Sequence, residues 1–194
     1  MSASQKETQR RRDLIAATLQ EIGAHGTLSV TVGQIAKRAG VSPGLAFHYF
    51  GDKEALFLAA MRAVLRRYRR AVVAALREAE TPEARIEAVI SASFDATNFQ
   101  DGAVAAWLNF YVLAQTAPEA RRLLEAYHAR LDSTLRHALR PLLGQAAPVV
   151  AGRLAALIDG LYLRQALTSG SPREAEAQIR AALADALAGQ APGR

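Results

Sequence analysis

Apolar side chains recur every three or four residues along almost the whole chain, which is the spacing of one helix face. The clearest stripe follows Asp52, a capping residue, and continues to about Glu78. No stretch alternates in the manner of a β-strand. Glycine and proline divide the pattern into about nine predicted helices, at residues 8–24, 32–39, 43–49, 53–78, 81–97, 101–115, 118–140, 146–169 and 172–188. The pattern therefore predicts an all-α protein, with Asp101 capping the sixth helix and a frayed tail at residues 189–194.

The second and third predicted helices are joined by a very short turn. Thr31 is a suitable N-cap, and Gln34 stands three residues later, where a capping box requires it. Gly40 suits a helix end that needs positive φ. Ser42 can cap the next helix, with Pro43 in its first turn. This arrangement predicts a helix-turn-helix, whose second helix enters the DNA major groove.

Charge is divided unevenly between the two ends of the chain. Residues 1–70 hold 12 Lys and Arg against 5 Asp and Glu, a net charge of +7. Residues 71–194 hold 12 Lys and Arg against 13 Asp and Glu, a net charge of −1. The whole excess of +6 at neutral pH therefore lies in the N-terminal part. A basic module joined to a near-neutral one indicates that the first part binds a polyanion and that the second has another task.

Composition argues against several other classes of protein. The chain has no cysteine, which excludes disulfides, thiol chemistry and cysteine-ligated zinc. Its histidines lack metal-ligand spacing, and neither a nucleophile elbow nor a phosphate loop is present, so we expect no enzyme, metal or cofactor. The N-terminus has no apolar signal core, and no apolar run is expected to be long enough to cross a bilayer. The expected location is therefore the cytoplasm, without a membrane partner.

The stretch from Thr31 to Leu56 has the pattern T-x-x-x-I-A-x-x-A-G-V-S-x-G-x-x-x-H-Y-F-x-x-K-x-x-L. This pattern resembles the DNA-binding domain of TetR-family transcriptional repressors. The resemblance implies a helix-turn-helix domain at residues 1–52. It also implies a helical ligand-binding and dimerisation domain at residues 53–194, joined to the first through the long fourth helix.

The same resemblance implies which residues contact DNA. His48 is the candidate for hydrogen bonding to base edges, and Leu45 or Phe47 can touch a thymine methyl group. Phe47 departs from the commoner family pattern, in which a tyrosine is frequent. Thr31, Tyr49 and Lys53 are candidate phosphate contacts. The full predicted set is Thr31, Ser42, Gly44, Leu45, Phe47, His48, Tyr49 and Lys53.

Two arginine clusters leave their roles open. By family analogy Arg10, Arg11 and Arg12 form a DNA-binding arm, although a solubilising basic tail explains them nearly as well. The run from Arg62 to Arg70 lies on the fourth helix, and Arg66 is roughly 20 Å beyond Lys53 along that helix. A solvated helix face is the preferred interpretation of that run.

A homodimer on a palindromic operator follows from both physics and family, because one helix-turn-helix rarely supplies enough affinity. In the family the last two helices of each subunit pair as a four-helix bundle. The residues expected to form that bundle are Val150, Leu154, Leu157, Ile158, Leu161, Leu163, Ile179, Leu183 and Leu187.

The C-terminal part resembles a narrower group, the BetI-type repressors, which control choline-to-glycine-betaine genes and respond to choline. The resemblance rests on Phe94-Asp95, Ala106-Trp107-Leu108 and the segment Leu154 to Arg164. Aromatic faces with a carboxylate are what a quaternary ammonium ion requires. The candidate ligand residues are Phe94, Asp95, Trp107, Tyr111, Tyr127 and Asp159.

Less specific interpretations of these residues remain open. An aromatic stripe at helical spacing is usually core, so Trp107 is a ligand contact or a packing residue on nearly equal grounds. Asp159 lies in an apolar run, where it can simply bond to an arginine or a helix terminus. The alternatives are a regulator of the same fold that responds to an unrelated hydrophobic or cationic ligand, and a DNA-binding protein that responds to none.

Overall fold

The computed structural model describes residues 2–100, 102–168 and 171–189. Within these ranges it contains no β-strand and nine α-helices. They are α1 (Ala3–His25), α2 (Val32–Arg38), α3 (Pro43–Phe50), α4 (Lys53–Glu78), α5 (Pro82–Ser93), α6 (Ala103–Leu113), α7 (Pro118–Leu143), α8 (Ala147–Leu167) and α9 (Pro172–Ala188). Short 3-10 segments lie at Ala96–Phe99 and Gly144–Ala146. The all-α prediction is confirmed.

The largest errors in the predicted helix limits lie at α1 and α5. Helix α1 begins at Ala3 rather than at residue 8, because Ser2 and Gln5 form a capping box that adds more than one turn. Helix α5 ends at Ser93, and a 3-10 segment replaces its predicted last turn. The predicted cap Asp101, the predicted extension of α8 to residue 169 and the predicted fraying of residues 190–194 all lie outside the described residues.

The predicted caps of α2 and α3 are present in the structure. The Thr31 hydroxyl accepts the Gln34 amide at 3.2 Å, and the Thr31 amide donates to Gln34 Oε1 at 2.7 Å. The Ser42 hydroxyl accepts the Leu45 amide at 3.2 Å. Gly40 has φ 66° in the turn between the two helices, which favours glycine. These bonds fix the ends of both helices where the sequence predicts them.

The chain divides into two compact units. The first comprises Met1–Arg66 and Phe99–Arg121, and the second comprises Arg67–Asn98 and Arg122–Arg194. The boundary therefore falls inside α4, and α6 belongs to the first unit, where it packs against α1. The sequence divides the chain at residue 52 by expected function, and that division stays a prediction.

Each unit has an apolar core of its own. Helix α2 packs against both α1 and α3 in the first unit, and α8 packs against α9 and α5 in the second. The largest buried side chains of the first unit include Leu14, Ile22, Ile35, Leu56, Met61 and Phe110. Those of the second include Ile86, Ile90, Leu135, Leu139, Leu154 and Ile158.

The predicted dimer residues fall into two groups. Val150, Leu154, Ile158, Leu161 and Ile179 are buried within the single chain, so their assignment to a subunit interface is wrong. Their side chains pack in the core of the second unit instead. Half-buried positions remain available on the same two helices, namely Leu157, Leu163, Leu183 and Leu187.

One stretch, Pro118–Leu167, is long and apolar enough to cross a membrane by length and composition. The expectation that no run reaches this length is therefore wrong. The stretch comprises α7, a 3-10 segment and α8, and α8 contributes six buried residues to the core of its unit. Helices of a packed core pass the same test, so the stretch is weak evidence for a membrane.

Candidate nucleic-acid interface and ligand site

Helix α3 exposes most of the residues predicted to contact DNA. Its exposed side chains include Phe47, half of whose surface is accessible, and His48. Leu45 and Tyr49 are half-buried, and Ala46 is fully buried against the rest of the unit. The backbone is also exposed where Gly44 lacks a side chain, so a partner can approach it closely. The helix therefore presents a polar and aromatic face that the described residues of its own unit leave exposed.

The three predicted phosphate contacts also have partners within the chain. The Lys53 ammonium donates to the Leu28 carbonyl at 2.8 Å, and the Thr31 hydroxyl belongs to the α2 capping box. The Tyr49 ring lies 5.5 Å from the His48 ring, measured between centroids. Because Lys53 and Thr31 are exposed, both remain accessible to a phosphate next to the helix.

Arg11 contacts α3, which the sequence did not predict. Its guanidinium Nη2 donates to the Tyr49 carbonyl at 2.9 Å. The guanidinium carbon Cζ lies 5.4 Å and 5.2 Å from the ring centroids of Tyr49 and Phe50. The arginines at residues 10–12 belong to helix α1, which begins at Ala3, and their predicted contact with DNA stays a prediction. The spacing along α1 is the sequence feature that indicates this contact. Arg11 lies three residues before buried Leu14 and therefore on the same side of the helix.

The six predicted ligand residues are divided between the two units. Trp107 and Tyr111 lie in the first unit, where Trp107 is 8% exposed and packs against the rings of Phe110 and Tyr111, with both centroid distances at 5.8 Å. The remaining four residues lie in the second unit.

In the second unit, a cluster of aromatic and titratable groups joins four helices. Tyr127 of α7 donates its hydroxyl to Asp159 Oδ1 of α8 at 2.8 Å. His128 Nε2 lies 3.3 Å from Asp159 Oδ2. Tyr68 of α4 packs edge-on against Tyr127, with 6.0 Å between centroids, and its hydroxyl lies 3.0 Å from Ser93 Oγ of α5. We call Tyr68, Ser93, Tyr127, His128 and Asp159 the tyrosine–aspartate cluster.

Burial changes the protonation chemistry of this cluster. It raises the pKa of Tyr68 to about 12, because burial disfavours the charged phenolate. Burial also raises the pKa of Asp159, and the Tyr127 hydrogen bond and the nearby His128 only partly oppose the shift. A half-buried carboxylate beside aromatic rings is an environment that a cation stabilises. Tyr68 was missed as a site residue because its sequence position marks it only as part of the α4 stripe.

Two predicted ligand residues have other roles in the structure. The Asp95 carboxylate accepts bonds from the Thr97 hydroxyl and from its amide, the latter at 2.9 Å. The Thr97 hydroxyl bond chiefly lowers the pKa of Asp95. Because this exposed carboxylate already closes a local turn, the contacts do not support it as a counter-charge. Phe94 is 2% exposed and ends α5 as a core residue.

Among the described residues, no three histidine or acidic side chains lie close enough together to hold a metal ion.

Family models match both ends of the chain. Residues 14–60 match the bacterial regulatory proteins of the tetR family, and residues 82–192 match the C-terminal domain of BetI-type transcriptional repressors. The HTH-type transcriptional regulator BetI of Brucella melitensis biotype 1 is 49% identical over 172 residues, which cover 88% of this chain and 87% of that protein. The regulator of the same name from Rhizobium meliloti is 48% identical over 174 residues, which cover 89% of this chain and 85% of that protein.

Solved structures share the fold. A putative transcriptional regulator from Pseudomonas aeruginosa PAO1 has a TM-score of 0.82 at 29% identity, with 97% of this chain and 93% of that chain covered. A putative transcriptional regulator from Saccharomonospora viridis, solved in complex with choline, has a TM-score of 0.76 at 22% identity. The match covers 89% of this chain and 94% of that chain. These relatives are regulators rather than enzymes. The chain therefore belongs to the TetR family of transcriptional regulators, with a C-terminal domain of the BetI repressor type.

Proposed function

We propose that this chain is a cytoplasmic repressor that binds a palindromic DNA operator as a homodimer and is released by a small cationic effector. Regulators of this family bind DNA operators, typically as dimers. The observation that carries the proposal is the exposed face of α3, a helix that Ser42 caps directly after the capped helix α2. A short rigid helix with exposed polar and aromatic side chains has the dimensions to enter the major groove.

Direct base readout falls to the exposed residues of α3. His48 donates to or accepts from a base edge, and Phe47 or Leu45 contacts a thymine methyl group. Gly44 admits the phosphate backbone or base edge close to the helix. Ser42 and Thr31 at the helix N-termini, with Tyr49 and Lys53, bind phosphates and set the register of the helix.

Selection of binding sites from random-sequence duplex DNA tests this part of the proposal. We expect recovery of one motif with two inverted half-sites, because a two-fold dimer presents two copies of α3. Binding should weaken steeply with salt, since phosphate contacts displace counterions. Recovery of no motif, or equal affinity for selected and scrambled duplexes, would contradict sequence-specific regulation.

The effector we propose is a quaternary ammonium ion held at the tyrosine–aspartate cluster. The rings of Tyr68 and Tyr127 offer aromatic surface, and Asp159 offers a counter-charge that burial makes costly without a cation. Trp107 and Tyr111 lie in the first unit, and their predicted role as ligand contacts is not part of this site. Choline is the first compound to test, because the named relatives are BetI regulators and a protein of the same fold holds choline.

Helix α4 connects the effector to the DNA-binding residues. Tyr68 lies on α4 itself, and the same helix begins at Lys53, a predicted phosphate contact. An effector that contacts Tyr68 therefore acts directly on a helix whose other end is next to the DNA. Release follows if the effector binds one arrangement of α4 more tightly than the arrangement that binds DNA.

Fluorescence anisotropy of the selected duplex tests the effector. Choline chloride should weaken binding, whereas sodium chloride at the same ionic strength should do so much less. The neutral carbon analogue 3,3-dimethyl-1-butanol is the matched control, because it keeps the shape of choline but lacks its charge. Equal effects of choline and sodium chloride would contradict induction by a quaternary ammonium ion.

A further inference from the structure

The helix proposed to read DNA bases has little apolar anchoring of its own. Helix α3 has eight residues, of which Ala46 alone is fully buried. Its last turn ends at Gly51, whose amide donates to the Phe47 carbonyl at 2.7 Å. The other carbonyls of that turn need partners from outside the helix. The position of α3 therefore depends on polar contacts as well as on packing.

Arg11 provides such a contact at the C-terminal end of α3. It donates to the Tyr49 carbonyl, and its guanidinium lies over the faces of Tyr49 and Phe50 within the range of a cation–π contact. A cation at this end also complements the helix dipole. Glu7, one turn earlier in α1, holds the arginine with a distance of 3.6 Å between Nε and Oε1.

Helix α2 is attached to α1 by a comparable link. Glu21 of α1 is only 6% exposed, and it accepts a hydrogen bond from the Nε atom of Arg38 at the end of α2. Helix α1 thus holds both helices of the helix-turn-helix at their C-terminal ends, α2 through Glu21 and α3 through Arg11.

We infer that Arg11 is a positioning residue for base readout, which fixes the last turn of α3 and with it the direction of His48 and Tyr49. This inference rests on the proposed DNA contacts of α3. Arg11 acts through the Tyr49 carbonyl and the two rings, and does not itself contact a base or a phosphate. Its loss should therefore reduce the preference for the correct sequence more than the general affinity for DNA.

The test compares Arg11→Met, Arg11→Lys and Arg12→Met in the full-length protein. Arg12 is exposed on the same turn of α1 and carries the same charge, so its variant controls for loss of one cation. Binding is measured to the duplex that the wild-type protein selects and to a scrambled duplex of equal composition, over a range of salt concentrations.

We expect Arg11→Met to weaken binding to the selected duplex about tenfold, the effect of one lost charge-assisted hydrogen bond. Binding to the scrambled duplex should change by less than about twofold, and the salt dependence should stay that of wild type. Arg11→Lys keeps the charge and can still donate a hydrogen bond, so its loss of affinity for the selected duplex should be smaller. Equal losses on both duplexes with a salt slope lower by about one would identify a phosphate contact and overturn the inference.

Amide hydrogen exchange without DNA separates this inference from the proposed function. Exchange at Phe47 to Gly51 should be faster in Arg11→Met than in Arg12→Met, because the last turn of α3 loses its outside partner. Unchanged exchange there would overturn the positioning role, even if DNA binding falls. A wild-type protein without sequence preference would instead refute the proposed function, and the exchange rates would still show whether Arg11 holds α3.

Discussion

Gly23 of α1 and Gly102, which precedes α6, bring two backbone segments of the first unit into direct contact. A Cβ atom on Gly23 would lie 2.7 Å from the Gly102 Cα, and one on Gly102 would lie 2.0 Å from the Leu19 carbonyl oxygen. Gly102 also has φ +74°, a conformation that other residues rarely adopt. Nearby, Asn109 Nδ2 donates to the Gly26 carbonyl at 3.1 Å. Helix α6 is thus fixed against the last turns of α1.

Replacement of Gly102 by alanine should destabilise the protein by about 2–4 kcal/mol, because the clash adds to the strain of positive φ. Gly23→Ala should cost less, about 1–3 kcal/mol, since its backbone conformation is helical. Gly33→Ala is the control, because its nearest neighbour would lie at an ordinary 3.7 Å. Urea denaturation measures all three. A Gly102→Ala protein as stable as the control would show that the two segments can separate without cost.

His48 and Lys53 should differ in how their loss affects DNA binding. His48→Ala should relax the preference at one base position, at a cost of about 1–3 kcal/mol, because one base contact is lost. Lys53→Ala should weaken binding to all sequences alike and lower the salt slope by about one. Competition binding against a panel of single-base operator variants measures both effects. A uniform loss across the panel for His48→Ala would contradict its role in base readout.

Asp159→Asn should separate stability from effector binding. Burial raises the pKa of Asp159 in the folded protein, so this carboxyl stabilises the fold below its unfolded pKa and loses that contribution as the pH rises through its folded value. The amide can still accept from Tyr127 but carries no charge. At pH 7 the variant should therefore be as stable as wild type or more stable, by up to about 1 kcal/mol. The difference should shrink towards about pH 4.

The same Asp159→Asn variant should bind choline at least about tenfold more weakly, because the counter-charge is gone. Thermal unfolding at both pH values and isothermal titration with choline give the two readouts. A variant that is clearly less stable at pH 7 would show that the Tyr127 and His128 contacts outweigh the cost of burying the charge. Unchanged choline affinity would remove Asp159 from the proposed site.

Local features of the sequence predicted the DNA-binding helices well. The caps at Thr31 and Ser42 are hydrogen bonds over three residues, so spacing alone reveals them. The link from Arg11 to the Tyr49 carbonyl spans 38 residues, and the Tyr127–Asp159 bond spans 32. No periodicity encodes such pairs, because they depend on how the helices pack.

The same limit explains the incorrect interface residues. Helix α8 is apolar on nearly all sides, so its sequence does not show which side faces the core of its own chain. The structure shows that Leu154 and Ile158 face that core. Which side of α8 is exposed therefore depends on how the helix packs in the folded chain.

The exposed side of α8 is the surface we propose for dimerisation. Val149 and Leu167 are exposed apolar residues at its two ends, with 59% and 67% of their surface accessible. Between them Ala156 and Gly160 fall at the middle of the same helix face, with half-buried Leu163 at one edge and exposed Arg153 at the other. Small residues in the middle of such a stripe let two helices approach closely, and the apolar ends then pack against the partner.

Ala156→Arg should therefore disrupt the dimer, because it places a long charged side chain at the centre of that face. Ala177→Arg is the matched control, since Ala177 is exposed on the side of α9 away from buried Ile179. Analytical ultracentrifugation should show a shift to monomer for the first variant alone, with unfolding temperatures that remain similar. Because two recognition helices are needed, operator affinity should fall at least about a hundredfold in Ala156→Arg. A dimeric Ala156→Arg protein would place the subunit interface elsewhere on the chain.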